Sequence, residues 1–353
     1  RFALIFLLVF HLDFFTAQGS KKSGIDFANS DYDYDSCGVP GMRRRVKRSD
    51  YSDDDEDDDD NEDDDEMEFQ AIGGKSARKG ENPWVVAILK YTDVQSFEIC
   101  GGTLISRRHV VTAAHCLHNK EHFNKGEDGG SSCDKEDYYD FDEYMETTKV
   151  VVDGPCLFEK NCDKKEMKGE HLKIANMSLF SFFENQCEKG DDLIILTLEK
   201  EVKSNHACLP WLHDIIIPQS IEVESFGWGA SIQTVLVRDS GMDVRKEEIG
   251  KEYENELQIV KLGKTDLNCK MKHKAYLRDK ICVPELQKVS VCRGDSGAGL
   301  LTTLYRKTFV LGVLSSGTAC QSLYDTTNEA LFTDLRLFSA TIDREIRTVG
   351  PYL

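Results

Sequence analysis

Between Asp53 and Glu68 stand 14 acidic residues and no basic one. Such a run repels itself and has nothing to bury, so no packed element can include it. It reads as a solvated, extended linker, and the principal folded unit of the 353-residue chain must lie after it. The run also holds most of the formal net charge of −19, leaving only about −5 elsewhere. A nucleic-acid partner is therefore not expected, because phosphate binding needs a basic surface. The run lacks the spaced ligands and turn glycine of a defined calcium site, which argues against a special role in binding that ion.

From Ala71 onward the texture changes to short apolar runs broken by turns. The stretches 84–89 (WVVAIL), 109–114 (HVVTAA), 149–154 (KVVVDG), 193–198 (LIILTL) and 309–314 (FVLGVL) have the length and branched residues of buried strands. They predict an all-β sandwich or barrel. Leu335, Phe338, Ile342 and Ile346 recur at three- and four-residue intervals, which predicts one helix near the carboxyl end.

The amino-terminal side reads as export and processing. The apolar run 2–10 (FALIFLLVF) is too short to span a bilayer and suits the core of a signal peptide, with small residues at Ala17 and Gly19 for cleavage. Residues 1–19 are expected to be that signal peptide, without its first methionine. Residues 20–70 form a propeptide without a packed core. It carries a basic processing site, RRRVKR at 43–48, ahead of the acidic run. Residues 71–353 are the main domain. No later stretch is apolar enough for a membrane anchor, so the product is expected to be secreted and extracellular. Twelve cysteines agree with an oxidising compartment, and Asn176-Met177-Ser178 is a candidate N-glycosylation acceptor.

Three segments carry chemistry. The first runs from Cys100-Gly-Gly to Thr-Ala-Ala-His115-Cys116; the second is Asp191-Asp192-Leu-Ile-Ile-Leu; the third is Cys292-Arg-Gly294-Asp295-Ser296-Gly297. A serine hydroxyl is a weak nucleophile until an imidazole removes its proton. That imidazole needs a carboxylate to fix its tautomer and stabilise its cation. A histidine, an aspartate and a serine in this order, each beside a strand-like run or a glycine-rich turn, point to that chemistry.

With these motifs the sequence resembles the trypsin/chymotrypsin family of serine proteases over nearly all of 71–347. AIGG at 71–74 resembles the amino terminus made on activation, GENPW at 80–84 the segment after it, and FGWG at 226–229 the loop opening the second barrel. The resemblance implies two antiparallel six-stranded β-barrels with a carboxyl-terminal helix. It also implies a secreted endopeptidase made as a zymogen, without cofactor or metal. His115 would be the general base, Asp192 the orienting carboxylate, chosen over Asp191 because it directly precedes the apolar strand, and Ser296 the nucleophile. The N–H groups of Gly294 and Ser296 would form the oxyanion hole, and Asp295 would pair with the freed amino group of Ala71. Ser315, Ser316 and Gly317 match the substrate-binding strand. Ser290, Gly317 and Ala330 match the primary specificity pocket, where a neutral serine at the base implies cleavage after apolar residues. Ser316 and Ala298-Gly299 depart from the usual residues at their positions. No basic residue precedes the Gln70–Ala71 bond, so activation there requires something other than a trypsin-type cut.

The resemblance also implies the disulfides Cys100–Cys116, Cys269–Cys282, Cys292–Cys320 and Cys37–Cys208, the last because CGVP at 37–40 resembles the start of the chymotrypsinogen propeptide. Cys133, Cys156, Cys162 and Cys187 remain and fall in an insertion at about 117–187, with three internal pairings open. The acidic, tyrosine-rich segment 127–146 within it reads as a solvated surface loop. Expected partners are protein or peptide substrates, an activating protease and protein inhibitors. The alternative from another class is a catalytically silent homologue that binds partners through the insertion and the acidic run.

Overall fold

The computed structural model describes residues 31–41, 74–93, 96–118, 138–158, 167–184, 187, 190–229, 231–239, 242–251, 255–266, 269, 278–284, 291, 294–317 and 329–347. Among them, β1 (Lys75–Ser76) leads into β2 (Val85–Tyr91), β3 (Phe97–Leu104) and β4 (His109–Thr112). A short helix α1 (Phe141–Thr147) precedes β5 (Thr148–Val152), β6 (Glu170–Leu172), β7 (Ile174–Leu179) and β8 (Ile194–Leu198). The second half holds β9 (Ser220–Gly227), β10 (Ser231–Asp239), β11 (Met242–Lys251), β12 (Gln258–Asp266) and β13 (Lys280–Pro284). It ends with β14 (Gly299–Leu304), β15 (Lys307–Ser316), β16 (Glu329–Asp334) and helix α2 (Ser339–Arg347).

These strands make two curled antiparallel sheets. One runs β6-β5-β2-β3-β4-β8-β7 and the other β1-β12-β9-β14-β15-β16-β13. Each has seven strands where six were expected. In the second, the addition is the two-residue β1 laid along β12. In the first, β6 and β7 are separate strands that pair with opposite edges, β5 and β8. Among the described residues, strands β10 and β11 pair only with each other, a long hairpin the sequence reading did not anticipate.

All five apolar runs are strands. Their continuous hydrophobicity, without a polar alternate face, follows from curvature: β2, β4 and β8 are buried on both sides. Trp84, Phe226, Trp228, Phe309 and Phe332 fill one continuous core that joins the two sheets. The carboxyl-terminal helix is present and opens as a 3-10 turn over Leu335–Phe338, with Leu335, Ile342 and Ile346 buried.

Residues 31–41, held by the Cys37–Cys208 bridge that the resemblance implied, do not hang free but are docked on the body. Tyr32 is buried, Cys37 is bridged to Cys208, and the Gly38 N–H donates to the His206 carbonyl oxygen at 2.7 Å. Gly38 has φ +66°, and a Cβ there would meet the backbone of Thr308 at 2.6 Å, so glycine permits the close approach. The end of the 127–146 segment is not a solvated loop either. Asp140 caps α1 by accepting from the N–H groups of Asp142 and Glu143, and the helix buries Tyr144 completely. Aromatic payload outweighed the acidic composition, because the charges stay on the outer face. Residues 127–137 lie outside the described set.

Candidate active site

Strand β4 delivers His115. After Thr112 the chain closes a 3-10 turn over Ala114–Leu117, and the small, fully buried Ala113 and Ala114 let that turn sit tight against the sheet. The Cys100–Cys116 disulfide ties it to β3.

Asp192 arrives from the segment before β8. Asp191 takes a left-handed conformation (φ +63°), one that aspartate tolerates better than most residues. Its N–H donates to Asp279 Oδ2 at 2.6 Å, and its carboxylate lies 3.6 Å from Arg278. Asp192 turns the other way. Its Oδ2 lies 2.8 Å from His115 Nδ1, its Oδ1 accepts from the His115 backbone N–H at 2.9 Å, and Ser315 Oγ donates to Oδ2 at 2.6 Å. The geometry thus brings Asp192, and not Asp191, to His115. Burial by itself would push the Asp192 carboxyl up, but the neighbouring His115, the Lys280 ammonium and the Ser315 hydroxyl hold it well below the usual carboxylate range. A carboxylate on Nδ1 leaves Nε2 as the ring nitrogen free to exchange a proton.

Ser296 reaches the same cleft from the other sheet. Gly294 and Gly297 flank it with φ +99° and +84°. A Cβ on Gly297 would lie 2.1 Å from Thr112 Oγ1, so only glycine lets the serine turn press this closely on the first sheet. Ser296, Gly294 and His115 line one cleft of about 170 Å³ with Lys90, Glu98 and Tyr144 among its other walls. Asp295 is buried, and its Oδ1 accepts from the Gly229 N–H at 2.7 Å.

The remaining site residues divide. Ser316 and Gly317 are exposed at the end of β15 beside the half-buried Ser315, whereas Ala330 is buried in β16. Ser290, Ala71, Cys133, Cys162, Cys292 and Cys320 lie outside the described residues. Cys37–Cys208 and Cys269–Cys282 are formed, as is Cys100–Cys116. Cys156 and Cys187 are also disulfide-bonded. Asn176 sits half-buried on the edge strand β7, and Ser178 of the same motif donates to Glu345 at 2.7 Å.

Sequence reading missed four contributors. Ser315 was placed only on the substrate strand, yet its hydroxyl holds Asp192. Thr333 Oγ1 donates to the Asp192 carbonyl oxygen at 3.0 Å, and Lys280 Nζ donates to Thr333 Oγ1 at 2.8 Å. Lys90 is buried in the cleft wall, its ammonium 3.9 Å above the Tyr139 ring, and burial lowers its pKa. None of these has a local signature, since each role depends on which strands become neighbours.

Comparison with known proteins agrees with this geometry. The trypsin family model matches residues 71–328. The chain is 31% identical over 266 residues to the trypsin-like protease try-5 of Caenorhabditis elegans, an alignment covering 68% of this chain and 75% of that one. It is 26% identical over 254 residues to CLIP domain-containing serine protease B15 of Anopheles gambiae, covering 69% of this chain and 61% of the relative. It is 28% identical over 253 residues to mannan-binding lectin serine protease 1 of Homo sapiens, covering 70% of this chain and 32% of the relative. With the family model spanning β1 to β15 and the residues that line the cleft, the chain belongs to the trypsin family of serine proteases.

Proposed function

We propose that the chain is a secreted serine endopeptidase, made as a zymogen, that hydrolyses peptide bonds through an ester on Ser296. The carrying observation is the buried Asp192 carboxylate 2.8 Å from His115 Nδ1, with Ser296 lining the same cleft. In this reading His115 takes the Ser296 proton as the hydroxyl attacks the substrate carbonyl. The N–H groups of Gly294 and Ser296 receive the oxyanion, and Asp192 stabilises the imidazolium that forms. His115 then protonates the leaving amine, and water repeats the cycle to release the acid. The acyl half of the substrate lies along Ser315–Gly317. The neutral pocket of Ser290, Gly317 and Ala330 accepts apolar side chains.

A fluorophosphonate probe tests the chemistry. After propeptide removal it is expected to label the wild-type chain on Ser296, while Ser296→Ala and His115→Ala fold but stay unlabelled. Peptidase activity in Ser296→Ala should fall by roughly 10⁴-fold or more. A correctly processed wild-type chain that takes no label would instead favour a silent homologue.

A further inference from the structure

Next to the Asp191–Asp192 backbone, and not among the residues that line the cleft, lies a buried ion pair that no part of the mechanism above uses. Lys280 and Asp279 each have side chains only 5% exposed, with Nζ 3.5 Å from Oδ2. Lys280 is the register partner of Thr333 across β13 and β16. Its Nζ donates to Thr333 Oγ1 at 2.8 Å, and that hydroxyl spends its one proton on the Asp192 carbonyl oxygen at 3.0 Å. Asp279 closes the circuit by accepting the Asp191 N–H at 2.6 Å. Gly190, with φ +94°, permits this, since a Cβ there would lie 2.6 Å from Asp279 Oδ1.

Burial of this pair is weak evidence for a stabilising role: two buried charges are costly to desolvate, and well-packed apolar residues often replace such pairs without loss. Asp279 Oδ1 is moreover buried with no hydrogen-bond partner among the described residues, a further cost. What the pair does supply is a fixed cation, one hydroxyl away from the backbone of the carboxylate that orients His115.

We propose that Lys280 is a positioning residue for the triad: through Thr333 it fixes the backbone of Asp192, and its ammonium offsets part of the negative charge that His115 senses. The inference rests on the triad reading above. Asp279 acts with the opposite sign, so the pair sets how readily the imidazole takes a proton. Among the described residues, the other charged groups near this site are Asp191 and Arg278, Asp334 at the end of β16, and Lys90, Glu98 and His118 lining the cleft. All stay unchanged across the variants below.

The test is an NMR titration of the His115 imidazole in the full-length Ser296→Ala chain, with the signal assigned by its loss in His115→Gln. It needs no catalysis. Lys280→Met is expected to move the midpoint up by about half a pH unit or more, because a removed cation favours the protonated ring. Asp279→Asn should move it down, and Asp279→Asn/Lys280→Met, which leaves no unpaired buried charge, should fall between the singles. In the active chain the acid limb of the pH profile for probe labelling should shift in the same directions. Unmoved midpoints, or movement of both singles in one direction, would overturn the proposal and leave a purely structural pair. If Lys280→Met does not fold, Asp279→Asn and the double variant still decide. Failure of the wild type to label would count against the triad reading alone, since the titration is independent of it.

Discussion

The carbonyl oxygen of Ser296 accepts a hydrogen bond from the backbone N–H of Gly101 at 2.7 Å. This contact crosses from the serine turn of one sheet to β3 of the other, one residue from the Cys100–Cys116 disulfide that anchors the His115 turn. Ser296 and His115, the proposed nucleophile and base, are thus registered against the same short piece of backbone. Glycine keeps this approach unstrained: a Cβ on Gly101 would lie a tight 3.0 Å from the N, Cα and Cβ of Ala298. Gly101→Ala is predicted to displace the serine turn by a few tenths of an ångström. Labelling of Ser296 should slow by about 10–100-fold, because small misplacements of reacting groups are costly. Comparing labelling rates with urea midpoints checks this. A rate equal to wild type in a fully folded variant would rule the registration out.

Acid should loosen the chain in a window set by buried imidazoles. His206 is buried, and its Nε2 accepts the Asp33 N–H at 2.9 Å while Nδ1–H donates to the Ala207 carbonyl oxygen at 2.9 Å. Burial lowers its pKa to about 4, and His109 is likewise lowered to about 4. The unfolded chain, with imidazoles near 6.5, takes up these protons first. Stability is therefore expected to fall as pH drops from about 6.5 to about 4, on the order of 3 kcal/mol for each histidine. His206→Gln offers a side-chain oxygen as acceptor and cannot take the proton. It should remove roughly half of that loss in denaturation curves run from pH 7 to 4. An unchanged pH slope would show that His206 is not the sensor.

Residues whose roles are local were legible in the sequence; those whose roles depend on cross-strand register were not. His115 and Ser296 stand in motifs because turn geometry and small neighbours are dictated within a few residues. The choice of Asp192 over Asp191 came from the family resemblance, in which the aspartate directly precedes the apolar strand, and Asp192 is the one that lies against His115. Lys280 and Thr333 meet only because β13 and β16 pair in a given register, which no run of neighbouring residues encodes. Tyr144 misled for a different reason. Its burial is paid for by a helix whose Asp140 cap and acidic first turn look, in composition, like solvated loop.

Peptide-library profiling of the activated chain is predicted to show cleavage after medium to large apolar residues, with little after lysine or arginine. The neutral Ser290 offers no partner to a cation. The methyl of Ala330, buried on β16 between strands β13 and β15, would narrow the proposed slot. Ala330→Gly should therefore broaden acceptance toward tryptophan. A dominant preference for basic residues would overturn the pocket assignment.

The last prediction is that activity requires a free amino terminus at Ala71 and that cutting at Arg48 alone is insufficient. Asp295, in the turn that presents Ser296, is 1% exposed, and a Cβ on Gly227 would lie 1.7 Å from its Oδ1. Its carboxylate is thus pressed against the end of β9. Ser76, Gln258 and Gly227 stand in line across β1, β12 and β9. Two strand spacings, about 10 Å, therefore separate Ser76 from the strand that Asp295 touches. Five extended residues reach about 17 Å, so a chain beginning at Ala71 is long enough to bring its ammonium to Asp295. A chain beginning at Ser49 carries the acidic run instead and has a neutral peptide bond at that point. The side chain of Ala71 also buries less than a branched residue would, about 0.8 kcal/mol for each missing CH₂. Ala71→Ile is accordingly expected to raise the active fraction. Forms beginning at Ser49 and at Ala71, each still bridged through Cys37–Cys208, are to be titrated with an acylating active-site reagent. A burst confined largely to the Ala71 form, larger in Ala71→Ile, is the expected result; equal bursts from both forms would sink the idea.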